Sequence, residues 1–325
     1  MIFTVLFLMI VEFLTASEKN ESVYSKEPSK LRKRLPASTA KGISIPTYGE
    51  YPYVVLIMEE QTEYHICEGA IISEIYVLTG CHCFTRYNMT IAFVKQKNEF
   101  LVVAGGQASW GLRDVKSMNS SLTQIRMIRK IHMHPKCLQT ANNVWHYDFA
   151  FIRLKSGFYF NPFVTSFKRP STDSETLISP KSNCVSLWWS RISHKFFKFS
   201  RLQAIKLKAM SKTACKQVLC SFDPSLCTPR DASHFICLRP EENYSGHCLK
   251  GGSAPLICKG RVHGILNWSP NCSSPQNVTV YSSLHPIYDL FDLYATQDAN
   301  TLVPVATYEL LLVLLVLYVY ISSRK

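Results

Sequence analysis

The sequence predicts an all-β domain with one short helix at its C-terminal end, set between two apolar segments that lie outside the domain. Three observations carry this. From about Ile43 to Tyr294, runs rich in Val, Ile, Leu, Phe and Tyr alternate with turn residues roughly every ten to fifteen positions, the pattern of a barrel or sandwich built from many short strands. Only "PIYDLFDLY", near the end of that span, reads as a helix, and no internal repeat is visible. Twelve cysteines, an even number, suit a disulfide-linked fold in an oxidising compartment.

Taken in chain order, Ile2 to Leu14 form an apolar run broken once by Glu12 and followed by the small residues Thr15, Ala16 and Ser17. This is the form of a cleavable secretory signal, although no basic residue precedes the run, and residues 1–17 are assigned to it. Residues 18–42 are polar and charged and include "KLRKRLP" at Lys30 to Pro36, which reads as a linker or pro-segment. The predicted strands follow within 43–294: "YPYVVLIM", "GAIISEIYVLTG", "EFLVVAGG", "DFAFIRL" and "RVHGILNW". Residues 295–301 form a short stalk, and 302–322 an apolar segment followed by the short tail 323–325. About 20 apolar residues suffice to cross a bilayer, and the trailing Arg324-Lys325 fits a cytoplasmic end, so a single-pass type I span is expected. The alternative is a removed lipid-anchor signal, with small residues around Asp298 to Asn300 and the tail Leu310 to Ile321; Glu309 favours this reading because a lone carboxylate in the bilayer is costly. Either attachment displays the domain on a cell or vesicle membrane, facing the extracellular space or a lumen. Asn-x-Ser/Thr sequons at Asn20, Asn88, Asn119 and Asn243 are candidate glycosylation sites.

Three segments carry chemistry: "LTGCHCF" at Leu78 to Phe84, "HYDFAFIRL" at His146 to Leu154, and "GHCLKGGSAPLIC" at Gly246 to Cys258. A hydroxyl becomes a nucleophile when an imidazole takes its proton and a buried carboxylate holds that imidazole in the right tautomer. Together the segments resemble the trypsin-like serine proteases, whose patterns are T-A-A-H-C, D-I-A-L-L and G-D-S-G-G-P, in the same order along the chain. The resemblance covers roughly 250 residues and implies two packed six-stranded antiparallel β-barrels and a C-terminal helix. It also implies that His82 is the base and Asp148 its orienting carboxylate.

The third segment departs from the family. Cys248 and Cys258 stand ten positions apart, as the cysteines bracketing the family's nucleophile do, so Gly252 takes the place of the serine and Ser253 that of the next glycine. Adjacent side chains point in different directions, which aims the Ser253 hydroxyl away from His82. Gly251 replaces the aspartate that pairs with a new N-terminus after activation, and "KGISIPTYG" stands where I-V-G-G is expected. Lys250 replaces a glycine whose N–H helps form the oxyanion hole. In the substrate pocket the family's S-W-G-x-G-C becomes "NWSPNC", putting Asn267, Trp268 and Ser269 at pocket positions, with Asn271 for another glycine. Thr279 replaces one more pocket glycine, and Gly246 stands at the pocket floor. Asn267, Asn271 and Asn277 also head sequons.

The resemblance implies the disulfides Cys67–Cys83, Cys184–Cys258, Cys215–Cys237 and Cys248–Cys272. It leaves Cys81, Cys137, Cys220 and Cys227, of which Cys220 and Cys227 are near enough in sequence to close a small loop; the resembled fold passes the segment before Asp148 near His82, where Cys81 can meet Cys137. With Cys83 in a disulfide, a metal site at Cys81-His82-Cys83 is not expected, and neither is a cofactor.

The net charge of +13 biases the surface toward acidic partners. Arg191 to Lys216 holds eight Lys/Arg and no acid, with aromatics interleaved in "HKFFKFSR". An acidic protein or a heparan-like polyanion, read through Lys195, Lys198 and Arg201, fits a secreted domain better than nucleic acid does. Yet "QAIKLKA" alternates as a half-buried strand, which puts Lys206 and Lys208 on a solvated face.

The expectation is therefore an inactive serine protease homologue, displayed on a membrane and acting through an unidentified protein partner. Degenerate, anchored chains of this kind resemble a group associated with testis and sperm surfaces. The alternatives are an active endopeptidase using Ser253 with His82 and Asp148, and a polyanion-binding surface protein.

Overall fold

The computed structural model describes residues 43–60, 65–88, 91–94, 100–106, 108–109, 122–140, 142, 144–168, 170, 178–180, 182–193, 198–227, 234–241, 252–268 and 278–296. Twelve strands build two barrels. The first holds β1 (Val54–Glu59), β2 (His65–Ile71), β3 (Tyr76–Thr79), β4 (Phe100–Ala104), β5 (Gln124–Met133) and β6 (Ala150–Leu154), closed in the order β6-β3-β2-β1-β4-β5. The second holds β7 (Asn183–Ser193), β8 (Lys198–Ala209), β9 (Phe235–Pro240), β10 (Pro255–Cys258), β11 (Arg261–Trp268) and β12 (Thr279–Ser283), in the order β8-β7-β10-β11-β12-β9 with a β8–β9 pairing that closes the ring. All of these pairings are antiparallel.

Numbered from its own first strand, each ring runs 1-4-5-6-3-2. The two barrels are thus one winding used twice, where the sequence showed no repeat. The duplication is invisible in sequence because a strand requires only apolar residues of fitting size on each face, which many unrelated sequences satisfy.

Side-chain alternation explains why the strands read as nearly continuous apolar runs. In β1, Val55 and Ile57 point into the first barrel with Val77, Val102 and Ile152, while Val54, Leu56 and Met58 point outward into a second apolar layer with Trp189, Val262 and Phe291. Both faces of the strand are covered, so neither carries the polar residues of a half-exposed sheet. The second barrel is filled by Trp188, Leu207, Leu238, Leu256, Leu266 and Tyr281.

Among the described residues two α-helices accompany the barrels. The predicted C-terminal helix is α2, Tyr288–Thr296, which buries Phe291 against the outward layer. An earlier helix, α1 (Lys212–Phe222), was not expected. Ser211 caps it by accepting a hydrogen bond from the Ala214 N–H at 3.1 Å, and Cys215 and Leu219, four residues apart, form its buried face. A cap followed by only two deeply buried positions is a weak periodic signal, and Lys212 and Lys216 of this helix fall at the end of the basic stretch Arg191 to Lys216.

Five disulfides cross-link the described residues: Cys67–Cys83, Cys81–Cys137, Cys184–Cys258, Cys215–Cys237 and Cys220–Cys227. Three were implied by resemblance, and the other two join the leftover cysteines; such bonding fits a secreted or extracellular protein. The fourth implied bond, Cys248–Cys272, lies outside the described residues, as do the expected signal, linker, stalk and 302–322 segment, together with Gly246, Lys250, Gly251, Ser269 and the sequons at Asn20, Asn119 and Asn243. Asn88 ends a short strand whose side chains are likewise outside. Among the described residues no helix is long and apolar enough to cross a membrane. Lys206 and Lys208 are exposed on β8 as the alternation predicts, and Lys208 pairs with Glu241 at 3.3 Å.

Candidate active site

His82 belongs to a 3-10 turn, Cys81–Phe84, that begins one residue after β3 ends. Disulfides hold the turn on both flanks: Cys83 to Cys67 on β2, and Cys81 to Cys137 beyond β5. Asp148 approaches from the segment entering β6 and is fully buried. Its Oδ2 lies 2.6 Å from His82 Nδ1, and its Oδ1 accepts the His82 backbone N–H at 3.0 Å. A buried carboxylate at that distance keeps the proton on Nδ1, which makes Nε2 the acceptor nitrogen when the ring is neutral. Tyr147, just before Asp148, has φ +46°, an uncommon backbone for a bulky residue, and its ring is held between His134 at 4.7 Å and His234 at 4.9 Å.

Opposite Nε2 stands Gly252. A Cβ built on it would lie 2.6 Å from His82 Nε2 and 2.5 Å from Cys67 Sγ, closer than carbon tolerates. The backbone is drawn in by a bridge between Cys67 and Gly252 and by a 2.9 Å hydrogen bond from the Glu68 N–H to the Gly252 carbonyl.

Ser253 is fully buried with φ +67°. Its Oγ accepts the Gly80 backbone N–H at 2.7 Å and lies 3.1 Å from Cys83 Sγ, to which its O–H can donate. A disulfide sulfur carries no proton, so this oxygen is the only possible donor of that contact. Gly80 stands where the pattern T-A-A-H-C has alanine, and a Cβ there would collide with Ser253 Oγ.

The expected pocket positions among the described residues are turned to structural use. The side-chain amide of Asn267 accepts the Trp145 N–H at 3.1 Å, donates to the Trp145 carbonyl at 2.6 Å, and donates to Ser282 Oγ at 2.8 Å. Thus engaged and buried, Asn267 is no glycan acceptor despite its sequon. The Trp145 indole it anchors lies 6.0 Å from the His82 ring. Trp268 packs edge-on against Phe222 of α1 at 4.4 Å, and Thr279 is buried in β12.

Glu68 was missed, although a single acid in the apolar run of β2 was the signal for it. It is fully buried, its Oε1 accepting the Trp189 N–H at 2.9 Å and lying 3.3 Å from His65 Nε2. The strand thereby ties the first barrel to the second through both its backbone and its side chain. Cys67, His82 and Cys83 group closely enough to suggest a metal site, with Nε2 3.8 Å from each sulfur. Both sulfurs belong to one disulfide, which leaves the imidazole as the sole ligand.

A family model described as Trypsin matches residues 41–290. The chain belongs to the trypsin family. Its similarity to individual members is low: 26% identity over 225 residues to Trypsin-4 of Rattus norvegicus, covering 68% of this chain and 76% of that one. It is 22% identical to Trypsin 5G1 of Aedes aegypti, covering 69% and 73% of the two chains. A solved structure of neuropsin, a serine protease of mouse brain, superposes with a TM-score of 0.58 at 19% identity, over 77% of this chain and 96% of that one. The trypsin-family fold is therefore retained, and it brings together His82, Asp148, Gly252 and Ser253.

Proposed function

We propose that this trypsin-family chain is a non-catalytic homologue, displayed on a membrane and acting by protein contacts. One observation carries the reading: the residue opposite His82 Nε2 is Gly252, whose Cα presents a hydrogen where a nucleophilic oxygen would be required. The nearest alternative, Ser253, is supported poorly by its surroundings, because its oxygen is committed to the Gly80 N–H and its backbone is held in the left-handed region. The retained His82–Asp148 pair then serves as structure: the carboxylate fixes the turn through the His82 backbone N–H as well as the ring.

The test is labelling of the full chain with a fluorophosphonate probe, after incubation with trypsin to allow for activation. No covalent adduct is expected. An adduct that disappears in Ser253→Ala would establish the active alternative instead.

A further inference from the structure

We infer that the outer face of β5 and β6, with the loop that follows β6, is a docking surface for an anionic lipid bilayer. The strand register fixes the face. Phe151 lies opposite His132 and Arg153 opposite Lys130, so these four side chains stand on the outer side of the first barrel, while Ile152 and Ile131 point inward. The face begins at the last turn of α2, where Tyr294 stacks on Phe151 at 4.4 Å and lies 5.3 Å from His132. It continues through Lys130 and Arg153 to Lys155, whose N–H donates to the Met127 carbonyl at 2.9 Å and whose Nζ lies 3.9 Å from the Met127 sulfur. Arg129 and Lys130 are exposed, and Arg153 has a buried Nε with no hydrogen-bond partner. Among the described residues none of these four cations sits in an ion pair. Beyond them the Arg126 guanidinium lies over the Phe158 and Tyr159 rings at 5.4 and 5.7 Å.

Apolar side chains are interleaved with this charge. Tyr159 is 79% exposed, Phe160 40% and Met127 39%. A polyanion uses the cations and gains nothing from such residues. A bilayer interface uses both, since cations meet headgroup phosphates while Tyr, Phe and Met enter the boundary beneath them. Glu74, whose carbonyl accepts the Phe158 N–H, is a carboxylate at the rim of the surface.

The chain's own path selects the bilayer. α2 ends at Thr296 on this face, and the apolar segment begins at Leu302. Six residues span at most about 20 Å, so a membrane reached through 302–322 lies within that distance of Thr296, beside the Tyr294 end of this face. The inference rests on the attachment reading in this respect and holds for either form of attachment.

The experiment places the full chain in nanodiscs of phosphatidylcholine, alone or with about 30 mol% phosphatidylserine, and follows amide hydrogen exchange. Roughly ten-fold slower exchange in 126–130 and 153–160 on the anionic discs is expected, lost in about 0.5 M NaCl and in R129E/K130E/K155E. All three substituted residues are exposed, and an unchanged Tm shows that the variant folds. Equal exchange on both discs, or a variant as protected as the parent, overturns the inference. So does retention on heparin that the same variant abolishes while disc protection persists. Failure of the attachment reading is distinguishable, because alkaline carbonate would then extract the chain. The free chain is in that case tested by flotation with the same two lipid compositions, where no preference for the anionic one overturns the docking surface.

Discussion

The side-chain oxygen of Ser253 accepts the backbone N–H of Gly80 at 2.7 Å and fills the room a Cβ at position 80 would take. Each residue is compatible with the other and with little else. Gly80→Ala would set a methyl against that oxygen and 2.7 Å from His82 Nδ1. A loss of about 1–3 kcal/mol is expected, as for other overpacked sites. Because removing the Ser253 side chain reopens the space, Gly80→Ala/Ser253→Gly should be more stable than the sum of the single changes by at least ~1 kcal/mol. Urea denaturation of the four proteins measures this, and additive effects would refute the coupling.

Gly252→Ser, the simplest reversion toward a protease, is expected to fail. Its Cβ would meet both the Cys67 sulfur and the His82 ring, so the loop must retreat before an oxygen can be placed. The variant should fold less stably and remain unlabelled by a fluorophosphonate. Efficient labelling would show that the loop moves away from the imidazole at little cost.

Stability should decline as the solution is acidified from about 6.5 toward 4. Burial depresses the His263 pKa from 6.5 to about 4, and the positively charged Arg261 and Lys259 add to the shift. Within that window the unfolded chain binds a proton that the folded chain does not, so unfolding becomes easier as pH falls. The effect is at most about 3 kcal/mol, and it is complete below pH ~4. His263→Leu should flatten this part of the curve of Tm against pH; an unchanged slope would exclude His263 as its source.

Peptide mapping after enzymatic removal of glycans in heavy-oxygen water should find Asn267 unconverted, whatever the state of the other sequons. Its amide makes three hydrogen bonds within the fold. A glycan at that position would require Trp145 to be displaced.

The first barrel's contribution to the site was legible through the family resemblance. His82 and Asp148 meet as the resemblance implied, and counting between Cys248 and Cys258 brought Gly252 opposite the imidazole. What could not be read was where displaced side chains go. Asn267 looked like an obstruction in a pocket, but it binds the backbone of Trp145 across 122 positions of sequence. Glu68 and Gly80 escaped notice for the same reason: the partners that give them meaning, Trp189 and Ser253, belong to the other half of the chain. Local pattern reports burial and turn chemistry, whereas these contacts depend on how two closed barrels meet.

That meeting has a consequence of its own. His82 and Asp148 are supplied entirely by one winding, and Gly252 and Ser253 by its twin, so the centre exists only along a seam between two separately closed cylinders. Neither cylinder needs the seam's chemistry in order to close its own ring of strands. A trypsin-family chain can therefore surrender its oxygen there and keep its architecture, provided that the sutures Glu68–Trp189 and Gly80–Ser253 still draw the halves together.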